Sequence, residues 1–130
     1  MTNDEKGLVL ASIDDVTRLA TIAVESKLTK LGRIEEAAVI LMTGRELGLA
    51  PMQSLRGIYV VDGKPTLSAD MMVAVIRKSG QCETWRVVES TAERCTITTR
   101  RKGESADAAR TWTRADADRA GVTHKDPWRK

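Results

Sequence analysis

Few residues of this 130-residue chain are of a type that does covalent chemistry, and none stands in a setting that would activate it. The single histidine, His124, lies in a polar segment near the end, with no partner to orient it as a general base. Cys82 and Cys95 have neither a CxxC spacing nor neighbouring histidines, so they read as reduced thiols packed as small apolar side chains. The acidic pairs Asp14-Asp15 and Glu35-Glu36 open helical patterns, where carboxylates offset the positive end of the macrodipole. Gly44-Arg45-Glu46-Leu47-Gly48 lacks the Lys-Ser/Thr ending of a phosphate loop and falls within a helical pattern. These residues predict a protein that is not an enzyme, with no catalytic residue, no metal and no cofactor.

Binding chemistry is better represented. Arg77-Lys78 closes a helix, Arg86 follows Trp85, Arg100-Arg101-Lys102 closes a strand, and Trp128-Arg129-Lys130 ends the chain. Lysines and arginines on a phosphate backbone release counterions and aromatic faces stack bases, which together make sequence-tolerant single-strand binding. The net charge is only +3, but it is unevenly placed. Residues 1–76 hold eight Lys/Arg against ten Asp/Glu, and residues 77–130 hold thirteen against eight. The same residue types also have plainer roles. Lys and Arg solubilise sheet surfaces, Arg77 and Lys78 suit a helix C-terminus on dipole grounds, and Trp85 and Trp112 read equally as core residues. Lys64, at the tip of a hairpin pattern, has no such packing role.

The elements that must position these residues are legible in the apolar spacing. Ile13, Val16, Leu19, Ala20, Ala23, Val24 and Leu28 share one helical face behind an S-x-x-D start at Ser12. A second helix follows Gly32 on Ile34, Ala37, Ala38, Leu41 and Met42, and ends near Gly48, with Pro51 forbidding continuation. From Gly57 to Leu67 two β-branched runs flank Asp62-Gly63, a type I′ hairpin signal, and Pro65 confines the returning strand to a short or edge position. Ser68 caps a third helix with Met71, Met72, Val75 and Ile76 on its apolar side and Gly80 as its stop. Residues 82–89 and 94–101 predict a hairpin in which Cys95, Ile97 and Thr99 face one way and Thr96, Thr98 and Arg100 the other, one face buried and one wet. Arg110-Thr111-Trp112 adds a short strand before a capped helix from Thr113 to Ala120, closed by Gly121.

This order is α+β: two N-terminal helices, a β-hairpin, a helix, antiparallel strands and a short C-terminal helix. The length fits one domain over 1–130, with residues 1–11 flexible and 122–130 an irregular tail. No apolar run approaches a membrane span and the opening MTNDEKGL is not a secretory signal, so the expected location is the cytoplasm, away from membranes.

The run from Leu47 to Gly80, LGLAPMQSLRGIYVVDGKPTLSADMMVAVIRKSG, resembles a block of the RecT-type single-strand annealing recombinases of bacteriophages. The similarity extends through Val87-Val88-Glu89-Ser90-Thr91, the Arg100-Arg101-Lys102-Gly103 turn and Trp128-Arg129-Lys130, covering residues 33–130. Leu-Gly-Leu-x-Pro-Met-Gln followed by Gly-Ile-Tyr-Val and Gly-Lys-Pro-x-Leu-Ser is specific only in combination. The resemblance implies a compact sheet-and-helix annealing core, single-stranded DNA held by a homo-oligomer in a basic groove, and ATP-independent annealing in phage-type recombination. It implies phosphate contacts from Lys64, Arg86, Arg100, Arg101, Lys102, Arg129 and Lys130, with Tyr59 and Trp128 as stacking or groove-wall residues. The family continues past Trp-x-Lys into a Tyr-Pro-Arg stretch and an amphipathic helix, whereas this sequence stops at Lys130. The alternative expectation is therefore a truncated relative that contacts another protein at its C-terminal side, as an interaction or inhibitory module without annealing activity.

Overall fold

Ser12 behaves as the S-x-x-D start predicts. Its Oγ accepts the Asp15 amide at 3.2 Å, while the Asp15 carboxylate accepts the Ala11 amide at 3.0 Å. These two bonds open α1 (Ile13–Glu25) in a computed structural model that describes residues 7–124. The chain groups into two compact units, 1–75 and 76–130, and the boundary falls within a helix.

In the first unit, α1 packs on α2 (Ile34–Glu46) through Leu10, Val16, Ala20, Ala37 and Leu41. Two positions of the predicted α1 stripe are exposed. Ile13 is exposed in the first turn, and Leu28 lies beyond the helix, which ends at Glu25 before Lys27 turns to a positive φ. Leu10, ahead of the cap, is buried and joins the cluster. On α2, Met42 is exposed where the spacing predicts burial, and Ile40 is buried. The reason is that α2 is covered on two sides, and Ile40 joins Leu49 and Ile58 in a second cluster under the hairpin.

The second helix ends before Pro51, as the sequence predicts, but Pro51 also does what the sequence reading leaves out: it occupies the first turn of a further helix, α3 (Pro51–Gly57), where its missing N–H is no loss. Gln53 Oε1 reaches back to accept the Ala50 amide at 3.1 Å. The chain then forms β1 (Ile58–Val61) and β2 (Lys64–Leu67), joined by Asp62 and Gly63 at φ 51° and 76°, the two positive values of a type I′ turn. Ser68 Oγ accepts the Met71 amide at 3.2 Å and opens α4 (Ala69–Lys78). Met71 and Val75 pack on the second cluster, while Met72 and Ile76, expected on the same apolar side, stay exposed.

The second unit is an antiparallel sheet in the order β3 (Cys82–Ser90), β4 (Arg94–Arg101), β5 (Ala108–Thr113). Thr91 makes the β3–β4 turn, its Oγ1 accepting the amides of Glu93 and Arg94 at 3.2 and 3.1 Å. The predicted division of β4 into a buried and a wet face does not occur. Every residue from Cys95 to Arg100 is half-buried, because among the described residues Ala117 is the only apolar side chain of this unit that is fully buried.

The sheet leads into α5 (Arg114–Arg119), the capped helix that the sequence predicts, and its cap is a capping box. Thr113 Oγ1 accepts the Asp116 amide at 3.1 Å, and the Thr113 amide and hydroxyl both donate to Asp116 Oδ2 at 2.9 Å. These donors, the Thr113 amide foremost, with Arg119 alongside, lower the Asp116 carboxyl from its ordinary value. A lowered folded pKa means that the cap contributes in full above the unfolded carboxylate value and fades as pH falls through the folded one. Thermal melts of Asp116→Asn should therefore lose part of the wild type's acid-limb slope and match it better at low pH than at neutral pH; an unchanged slope would show that the cap is not pH-linked. Among the described residues, no helix is long and apolar enough to cross a membrane.

Candidate nucleic-acid interface

In the first unit the candidate residues are those of the hairpin. Its register pairs Tyr59 with Thr66 and Val61 with Lys64, so these four share one face, while Ile58, Val60, Pro65 and Leu67 take the other. Ile58, Val60 and Leu67 are drawn onto the core, which turns Tyr59 and Lys64 outward. The structure thus brings Tyr59 and Lys64 together on one exposed side of a short hairpin.

In the second unit the basic residues divide by strand alternation. Arg100 and Arg86 lie on a face shared with Thr84, Thr96, Thr98 and Thr111, and the Thr96 and Thr111 hydroxyls are 2.8 Å apart. Arg101 falls on the opposite face, with Trp85, Val87, Ile97, Arg110 and Trp112. Adjacent cations in the sequence therefore serve different surfaces. Likewise Arg86 and Trp85 are neighbours along β3 but face opposite ways, and they form no cation-aromatic pair.

The two faces differ in how free their cations are. On the threonine face, Arg100 Nε lies 3.1 Å from Glu83 and 3.8 Å from Asp107, and Arg86 Nη2 lies 3.6 Å from Asp107. Glu83 reaches Arg100 because the β3–β4 register shifts between Cys82 and Thr84. At the end of β4, Arg101 and Lys102 are exposed and make no ion pair among the described residues. Their backbone is held instead, the Lys102 amide donating to the Gln81 carbonyl at 2.8 Å and the Arg101 amide to the Glu104 carboxylate at 3.3 Å. Neither protein-family models nor curated proteins yield a match to this chain.

On the Arg101 face the structure adds a pair that the sequence reading leaves out of the site. Arg110 and Trp112 are two positions apart on β5 and therefore project to the same side. Trp112 is 48% exposed, and the Arg110 guanidinium donates to the Ala109 carbonyl at 3.0 Å. Period-two spacing in Arg110-Thr111-Trp112 carries that signal. Trp85, at the opposite corner of the face, is half-buried. Trp128, Arg129 and Lys130 lie outside the described residues.

Among the described residues no group of His, Cys, Asp and Glu is arranged to hold a metal ion, and both cysteines are free. What the surface offers is cations, hydroxyls and partly exposed indole rings on a sheet.

Proposed function

We propose that this protein binds single-stranded DNA through the sheet of its second unit, and that it anneals complementary strands without ATP. The observation that carries the reading is the β5 pair, a half-exposed Trp112 with Arg110 on its own face, together with Arg101 and Lys102, which have no ion pair among the described residues. Stacking on an indole serves any base, and cations beside it serve any phosphate, so the surface suits strands of arbitrary sequence. The outward Tyr59 and Lys64 of the hairpin add a second surface of the same chemistry. Annealing is supported by the motif block from Leu47 to Gly80 and its likeness to RecT-type proteins, whose activity uses oligomers and DNA alone.

Fluorescence polarisation with a labelled single strand tests the binding, and a complementary strand carrying a quencher tests annealing. Binding should weaken steadily with salt, by about 0.7 in log K per log unit of salt for each phosphate engaged, and annealing should proceed without nucleotide. A strand that does not bind at low salt, or whose binding ignores salt, would overturn the proposal. Binding without faster annealing would restrict the function to strand binding.

A further inference from the structure

Asp107 is the last residue of the β4–β5 connection, and its carboxylate meets three polar groups of the threonine-bearing face. Oδ2 is 3.6 Å from Arg86 Nη2, while Oδ1 is 3.8 Å from Arg100 Nε and accepts from Thr84 Oγ1 at 3.4 Å. The register explains the convergence. Thr99 pairs with Ala108, which sets Asp107 beside Arg100 on the next row, and Arg100 in turn pairs with Thr84. Two guanidiniums and a hydroxyl aimed at one set of oxygens are the donors that a phosphodiester takes.

The geometry points to a phosphate subsite built from Arg86, Arg100 and Thr84, in which Asp107 is the resident stand-in that an incoming strand displaces. This rests on the single-strand reading above. The contacts are of the kind that exchange readily. Both arginine distances are long for charge-assisted hydrogen bonds, and the Arg86 side chain is 67% exposed, so the pairs add little and are screened by salt. Arg100 Nε is enclosed yet has no hydrogen-bond partner among the described residues, although two carboxylates stand within ion-pair distance. A mobile phosphate oxygen can align with a donor that the fixed carboxylates miss. When Asp107 leaves, Glu83 at 3.1 Å keeps Arg100 oriented. The subsite is thus closed to weak, isolated anions and opens to a strand already held by neighbouring contacts.

The test compares Asp107→Asn with the wild type in oligonucleotide binding across a salt series. The exposed acid Asp118, on α5 of the same unit, serves as the control for bulk charge. Asp107→Asn should bind about 5- to 25-fold more tightly at about 0.1 M salt, an effect the size of one or two phosphate contacts, because the strand no longer has to displace a carboxylate. Asp107→Ser should repeat the gain, Asp118→Asn should not, and Arg86→Gln with Arg100→Gln should abolish it in the Asp107→Asn background. If the wild type binds and Asp107→Asn is no tighter, or if Asp118→Asn matches it, the subsite falls while strand binding stands. If neither the wild type nor Asp107→Asn binds, the single-strand reading falls and takes the subsite with it.

Discussion

Gly44→Ala should be the most damaging single-methyl change in the first unit. A Cβ at Gly44 would come 1.7 Å from Ser54 Oγ and 2.4 Å from Ser54 Cβ, on the neighbouring α3, far inside any tolerated contact. Ser54 cannot swing away cheaply. It is fully buried, and its hydroxyl donates to the Ala50 carbonyl at 3.0 Å. Relief requires α2 and α3 to separate, which would loosen Ile58 at the root of the hairpin, whose Cδ1 lies 3.4 Å from the same point. Overpacking of this kind costs about 3 kcal/mol, enough to lower the melting temperature of a domain this size by roughly ten degrees. The compensating change is Ser54→Gly, which removes both clashing atoms at the cost of about 1 kcal/mol for glycine within a helix. The double variant should melt above Gly44→Ala alone. A Gly44→Ala protein that melts like the wild type would rule out the close approach of the two helices.

The largest effect on binding should come from Arg101→Gln combined with Lys102→Gln. Both side chains are exposed and without ion pairs among the described residues, so no internal contact is lost when they are neutralised. Each phosphate contact removed lowers affinity about fivefold at about 0.1 M salt, so the pair should cost about 25-fold and flatten the salt slope by about 1.4. Folding should be untouched, since the turn is held through the Lys102 and Arg101 amides and Gly103 at φ 88°. Polarisation assays beside a thermal melt separate the two readouts. Unchanged affinity in a folded variant would place the strand elsewhere than on this turn. By comparison, Arg86→Gln alone should cost less than this pair, because a strand must first displace Asp107 to reach that guanidinium.

How far the sequence reaches depends on the range of the interaction. Features set within four residues are legible: the Ser12, Ser68 and Thr113 caps, the Asp62-Gly63 turn and the strands on either side of Thr91. Pro51 is ambiguous, because a proline that ends one helix is equally suited to begin the next, and only Gln53 three positions after Ala50 favours the second sense. Ile40 escapes a periodicity argument because α2 is covered on two sides and a single stripe does not describe it. At the site, Arg86 and Arg100 are visible as cations, but the acids that engage them are not. Asp107 comes to Thr84 from 23 positions away, and Glu83 reaches Arg100 only through a register shift that no spacing rule records. The separation of Arg100 from Arg101 follows from strand alternation alone.

The scarcity of buried apolar side chains in the second unit bears on time as well as on stability. A ladder whose side chains are half-buried throughout is held chiefly by its backbone hydrogen bonds, and such regions open locally far more often than the whole molecule unfolds. Amide protons of β3, β4 and β5 should therefore exchange with solvent through small, frequent excursions, while those of α2 around Ile40 and Leu41 wait for rare global events. A strand lying on the sheet would slow the first set and leave the second unchanged, making exchange rates a clock for contact with the surface.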